Sequence, residues 1–94
     1  MTKSEIINIL AEGTGLTKLE TGAAIDGFIA IIQYALEKDE AVEIRGFGSF
    51  RVTTRKPRNA RNPRTGEMIA IPEKRVPVFR PAADFKRYLN DKTS

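Results

Sequence analysis

Thirteen consecutive residues, RKPRNARNPRTGE at positions 55–67, carry five cations (Arg55, Lys56, Arg58, Arg61 and Arg64) with two prolines, one glycine and no apolar side chain larger than Ala60. Guanidinium and ammonium groups at this density suit a polyanion and cannot enter a hydrophobic core. Further cations follow at Lys74, Arg75, Arg80 and Lys86, and Lys3 stands near the N-terminus. Other chemistry is scarce. The chain has no His and no Cys, which removes the commonest general base, the thiolate nucleophile and the usual transition-metal ligands. Paired carboxylates are the remaining catalytic option. The only acidic cluster, Glu37, Asp39, Glu40 and Glu43, falls in a helix-to-strand connection and reads as a solvated loop. The expectation is therefore no enzyme, no metal and no cofactor.

The charge is unevenly distributed. Residues 1–44 hold three basic groups against eight acidic ones, a balance of −5, whereas residues 45–94 hold thirteen against four, a balance of +9. A chain divided in this way keeps one end in solvent and offers the other to a polyanion, most often nucleic acid. Its 94 residues, 40% of them hydrophobic, fit a single domain over 1–94 with a modest core, so a partner chain is plausible from the outset. The run MTKSEIINIL contains Glu5 and is too short for a secretory signal or a membrane span, and the basic residues do not lie on an amphipathic helix. The expected location is cytoplasmic, with no membrane partner.

The positioning elements can be read from caps and periodicity. Thr2-Lys3-Ser4-Glu5 has the form of a capping box, with Ile6, Ile7 and Leu10 at helical spacing, and this helix should stop near Gly13 to Gly15. Thr17-Lys18-Leu19-Glu20 repeats the device. Ile25, Phe28, Ile29, Ile32, Ala35 and Leu36 then mark a broad apolar face to about Lys38, and Ala24 and Ile31 widen it enough to suggest burial on two sides, one of them against another chain. Two helices with a short break could suggest a DNA-reading helix-turn-helix. The second helix, however, offers Lys18, Glu20 and Thr21 before turning apolar, which is a poor set for base edges.

From Ala41 the period changes to two. Val42 and Ile44 alternate with Glu43 and Arg45, Phe50 and Val52 with Arg51 and Thr53, and Gly46-Phe47-Gly48 makes the corner between them. Met68–Pro72 and Val76–Phe79 read as a returning strand interrupted by prolines, and Pro81 suits the first turn of a last helix that turns Phe85, Tyr88 and Leu89 inward. Between the strands, Asn62-Pro63-Arg64-Thr65-Gly66 is a turn sequence. The simplest geometry for 55–74 is a two-stranded ribbon that folds back near Pro63 and, at about 3.3 Å per residue, reaches roughly 30 Å. Such a hairpin is marginal alone. Its residues are there to bind, and their ordering is deferred until they do.

The spacing Gly46-Phe47, Phe50, Arg55, Arg58, Ala60, Asn62-Pro63 and Thr65, with Phe79-Arg80-Pro81 before the last helix, resembles the HU and integration host factor family of bacterial DNA-bending proteins over about residues 2–90, and HU most of all. The resemblance implies an α+β fold in an intertwined dimer. Residues 1–40 would give a helical dimerisation base, residues 41–81 a three-stranded antiparallel sheet extended into a β-ribbon arm at about 55–74, and residues 82–90 a short C-terminal helix. Phe28, Ile29, Ile32, Phe47, Phe50 and Phe79 would form the dimer core. The chain would be a histone-like, nucleoid-associated protein that binds duplex DNA through the minor groove with little sequence specificity, and bends, wraps and compacts it.

Under the same resemblance Lys3, Arg55, Lys56, Arg58, Arg61, Asn62, Arg64, Lys74, Arg75, Arg80 and Lys86 would contact DNA. Pro63 would be the intercalating wedge, a minor-groove mode of which this family is itself a standing example. The implied partner is double-stranded DNA, bent or nicked duplex by preference, held by a homodimer or by a heterodimer with a paralogue. Two alternatives accompany this reading. One is a subunit like those of integration host factor, with site preference, for which Arg45 leaves room; the other is an RNA-binding protein, which would need aromatic side chains interleaved with the cations.

Overall fold

Two threonine caps open the helical part of the chain. A computed structural model describes residues 1–91, which divide into two compact units, Met1–Tyr34 and a second beginning at Ala35. In the first unit, helix α1 (Lys3–Thr14) begins where the Glu5 amide donates to Thr2 Oγ1 at 3.2 Å, while the Glu5 carboxylate accepts from the Thr2 hydroxyl. It ends at Gly15, left-handed with φ 78°, whose amide reaches the Ala11 carbonyl. Helix α2 (Lys18–Glu37) opens on a reciprocal capping box, with the Glu20 amide donating to Thr17 Oγ1 and the Thr17 amide to Glu20 Oε1, each at 3.0 Å. Those bonds, the one from the Thr17 backbone foremost, hold the Glu20 carboxyl below its ordinary pKa.

Within this unit Ala11 and Thr21 are buried, Lys3 pairs with Asp26, and Ile7 approaches the backbone of Gly22. The apolar stripe of α2 remains open, with Phe28 50% and Ile31 66% exposed. By length and composition alone α2 would also suit a membrane. Glu20 and Asp26 within it would be costly there.

In the second unit β1 (Val42–Ile44), β2 (Gly48–Arg55) and β5 (Lys74–Pro81) form an antiparallel sheet in the order β1-β2-β5. Strands β3 (Arg58–Arg61) and β4 (Met68–Ile71) pair separately as a ribbon. The arm is therefore jointed rather than one continuous hairpin. Arg55↔Lys74 is the last rung of the sheet, Arg58↔Ile71 the first of the ribbon, and Lys56-Pro57 and Pro72-Glu73 interrupt the pairing between them. Each proline lacks the N–H that a continuous ladder would use. Pro77 is tolerated opposite Val52 because β5 is an edge strand.

The last helix, α3 (Ala83–Asp91), starts later than its proline suggests. Pro81 closes β5 opposite Gly48, and the amide of Ala82 donates to the Phe47 carbonyl before the helix begins. Strand pairing outcompetes the helix start at that proline. Phe85 stacks on Phe47 with centroids 5.2 Å apart, and Phe79 lies 5.1 Å from Phe47 and 5.0 Å from Phe50. Tyr88 and Leu89, expected to face inward, are exposed. The boundary between the two units falls inside α2, ahead of its last residues.

Two glycines shape the β1–β2 corner. Gly46, at φ 81°, occupies the third position of a turn closed by the Phe47 amide on the Ile44 carbonyl. Gly48 is buried, and a Cβ there would stand 2.5 Å from the Arg80 carbonyl oxygen and 2.7 Å from the Phe79 ring. Backbone cannot yield as a flexible side chain can. Gly48→Ala should therefore destabilise the protein by about 1–3 kcal/mol, the usual range for overpacking, read as a lowered midpoint of chemical unfolding. An unchanged midpoint would show that the strands can separate there without loss.

Candidate nucleic-acid interface

Direct partners in an antiparallel pair point to the same side of the sheet, and successive residues along a strand to opposite sides. The register Ser49↔Arg80, Arg51↔Val78, Thr53↔Val76 and Arg55↔Lys74 therefore gathers Arg51, Arg55, Lys74 and Arg80 on one face together with Ser49, Thr53, Val76 and Val78. Phe50, Val52 and Thr54, with Phe79, Pro77 and Arg75, take the other. One face is basic and the other aromatic. Glu43, opposite Ser49, is the carboxylate on the basic face. It accepts from Arg51 Nη2 at 3.3 Å while Arg51 Nε donates to Ser49 Oγ at 3.2 Å, so this guanidinium is held extended along the sheet. At the corner, Arg45 shares a shallow hollow of about 530 Å³ with Ser49 and Arg80 and carries the basic surface toward the turn.

Arg51 and Arg45 were not among the binding residues expected from the sequence. The signal was present for Arg51: it alternates with Phe50 and Val52 in phase with Arg55. Arg75 is the converse case. It lies inside the run of cations but one step out of phase with Lys74, so it falls on the aromatic side. There its Nη2 donates to the Leu36 carbonyl at 2.9 Å, the Glu37 carbonyl at 3.0 Å and Asp39 Oδ1 at 2.8 Å. It does not join the basic face.

The ribbon presents two faces as well. Arg58, Ala60, Ile69 and Ile71 share one, and Asn59, Arg61, Met68 and Ala70 the other. Its tip is closed by four hydrogen bonds. The Asn62 amide donates to the Glu67 carbonyl and the Gly66 amide to the Asn62 carbonyl, both at 2.8 Å; the Arg64 amide donates to Asn62 Oδ1 at 2.9 Å and the Glu67 amide to Thr65 Oγ1 at 3.3 Å. Gly66, at φ 74°, supplies the left-handed residue this turn requires. Pro63 is left exposed at the apex between Arg61 and Arg64, and Arg61 Nη1 donates to the Gly66 carbonyl at 3.4 Å. The side-chain carbonyl of Asn62 thus takes part in building the turn.

The remaining expected contacts lie elsewhere. Lys56 is exposed in the joint and Lys86 is exposed on α3. Lys3 belongs to the first unit, where it pairs with Asp26. Of the expected dimer-core residues, Phe47, Phe50 and Phe79 meet one another with Phe85, whereas Phe28 and Ile29 are exposed and Ile32 half-buried. Asp39 and Glu43, from the acidic cluster, each pair with an arginine.

Residues 1–90 match the family model described as "Bacterial DNA-binding protein". The chain is 46% identical over 80 residues to DNA-binding protein HU of Staphylococcus aureus, covering 85% of this chain and 89% of that protein. It is 43% identical over 86 residues to HU of Geobacillus stearothermophilus, covering 92% and 96%. Among solved structures it resembles an HU–DNA cocrystal structure from Anabaena with a TM-score of 0.89 at 35% identity, over 95% of this chain and 97% of that one. It also resembles HU from Thermotoga maritima with a TM-score of 0.69 at 29% identity, over 95% and 98%. The chain therefore belongs to the bacterial DNA-binding protein family that contains HU.

Proposed function

We propose that the chain works as a dimer that holds duplex DNA on the basic sheet face, embraces it with two arms in the minor groove, and bends it through Pro63 with little sequence preference. The family is architectural and non-enzymatic, so DNA binding is the activity, and the proposal concerns how it is carried out. The Anabaena relative was crystallised with DNA, which supports duplex as the ligand. The observation that carries the reading is the segregation of Arg51, Arg55, Lys74 and Arg80 from the phenylalanines by strand register. A single-strand binder needs rings among its cations for bases to stack on. Here the cations lie on one face and Phe50 and Phe79 on the other, which favours phosphate contacts to a duplex over RNA.

Arg55, Arg58, Arg61, Arg64, Lys56 and Lys74 supply the arm and its root, and Lys86 and Lys3 would extend the contact. The Lys3–Asp26 pair is exposed, worth about 0–1 kcal/mol, so releasing Lys3 to a phosphate costs little. Arg61 and Arg64 flank Pro63 with positive charge where a narrow groove concentrates negative potential. The four tip hydrogen bonds hold the wedge ready before DNA arrives. Bent or nicked duplex should be preferred because its base steps are already unstacked, and a nucleoid-associated, cytoplasmic location follows from such a ligand.

Dimerisation is supported by burial. Among the described residues only Ala11, Thr21 and Gly48 are buried, too little to offset the chain entropy of a domain this size. A homodimer is the simplest form. Sedimentation should find no folded monomer at micromolar concentration, and a folded monomer there would overturn this part of the reading.

Arg51→Ala should lower the slope of log affinity against log salt by about 0.9 for each phosphate it neutralises, without changing base preference. A slope equal to the parent's would place Arg51 outside the interface.

Pro63→Ala should separate binding from bending. Every charge of the arm remains, so affinity for intact linear duplex should change little at a given salt. What is lost is a rigid apolar wedge, and without insertion the few kcal/mol (~2–3) of unstacking a base step are not offset locally. Energy transfer across a short end-labelled duplex should report a smaller bend, and the preference for nicked DNA should fall. A bend equal to the parent's at saturating protein would show that the charges alone deform the helix.

A further inference from the structure

We infer that Arg75 is a positioning residue of the arm, one that fastens the arm's root to the end of α2 and touches no DNA. The inference rests on the DNA-bending reading above. Its starting point is register: Arg75 pairs with Thr54 one rung inside the joint, on the face opposite Arg51, Arg55, Lys74 and Arg80. A guanidinium on that side is turned away from the basic surface. Beyond it the ladder lapses at Lys56-Pro57 and Pro72-Glu73, so Arg75 is the last β5 side chain on that face before the pairing is interrupted.

The α2 terminus shows why an arginine is needed there. The Asp39 amide donates to the Leu36 carbonyl at 3.0 Å and the Glu40 amide to the Ala35 carbonyl at 2.9 Å, which together make a Schellman cap. Glycine normally takes the left-handed position of that cap. Here it is Asp39, at φ 61°, the one non-glycine residue with positive φ among those described. The last turn of α2 contains no basic residue, while Glu37, Asp39 and Glu40 place negative charge at the negative end of the helix dipole. Lys38 follows that turn, and Arg75 brings a second cation to the helix end from β5. Its Nη2 meets two terminal carbonyls and the carboxylate of Asp39, all within 3.0 Å. The staple ties helix end, left-handed residue and arm root into one assembly. Consistently, the last residues of α2 belong to the same compact unit as the sheet.

Two variants of the full chain test this, Arg75→Met, which keeps the stem without the charge, and Asp39→Asn, which keeps left-handed tolerance without the carboxylate. In the free protein both should speed amide exchange at the arm root, Thr53–Arg55 and Arg75–Val76, by about two- to fivefold, the range an exposed ion pair is worth. On intact duplex both should retain the parent's salt slope while energy transfer reports a smaller bend. A phosphate contact gives the opposite pattern: Arg75→Met lowers the slope by about 0.9 per phosphate, and Asp39→Asn, freed of a competing carboxylate, binds more tightly. That result would overturn the inference, as would parental exchange and bend in both variants. Should Arg75→Met fail to fold, Asp39→Asn carries the test alone. If the parent itself bound no duplex, the DNA reading would fail, while exchange in the free protein would still decide whether the staple holds the arm root.

Discussion

The pairing of β2 with β5 is the constraint on which the rest depends. Because side chains alternate along a strand and align across it, one register decides for both strands at once which residues meet rings and which meet solvent. A slip of one residue in β5 would bring Arg75 among the cations and remove Arg80 from them. Gly48 helps to hold the register, since its missing Cβ is what admits the Arg80 carbonyl and the Phe79 ring. The aromatic contacts of Phe47, Phe50, Phe79 and Phe85 reward the same alignment. The basic face is thus a by-product of packing the aromatic one.

Electrostatics refine that surface more than they stabilise it. The ion pairs Arg51–Glu43, Arg75–Asp39 and Lys3–Asp26 all involve exposed side chains, which makes each a weak contributor to stability. Their value is directional. Glu43 and Ser49 hold the Arg51 guanidinium along the sheet, and Asp39 with two carbonyls holds that of Arg75 against a helix end. A fixed cation loses less freedom on meeting a phosphate or supporting a strand than a free one does. Pairing therefore fixes Arg51 along the basic face and Arg75 against the end of α2.

The arm follows a different logic, because it has no core. Its rungs are backbone hydrogen bonds and its tip is locked by Asn62, Thr65 and Gly66, but prolines at both sides of the joint interrupt its connection to the sheet. The tip is thus ordered locally, while strand pairing breaks at the root. Under the proposed function, that division would suit a ligand whose curvature changes during binding.

Local chemistry was legible in the sequence alone. Both threonine caps, the glycine that ends α1, the period-two strands, the Asn62–Gly66 turn with Pro63 at its apex, and the surplus of positive charge after residue 44 depend on neighbours a few residues apart, and each takes its expected place. The family resemblance was legible for the same reason, being carried by fixed local spacings. What the tertiary structure decided was every assignment that depends on pairing across the chain. Arg75 and Lys74 are adjacent cations, and only the register sends one to the basic face and the other to the end of α2. Pro81 was a sound helix start by its own properties, but cross-strand pairing with Gly48 extended β5 through it. The side-chain carbonyl of Asn62 accepts from the Arg64 amide within the turn. A residue's type and spacing specify which bonds it can make; which of them it makes is settled by the partners that distant segments bring within about 3 Å.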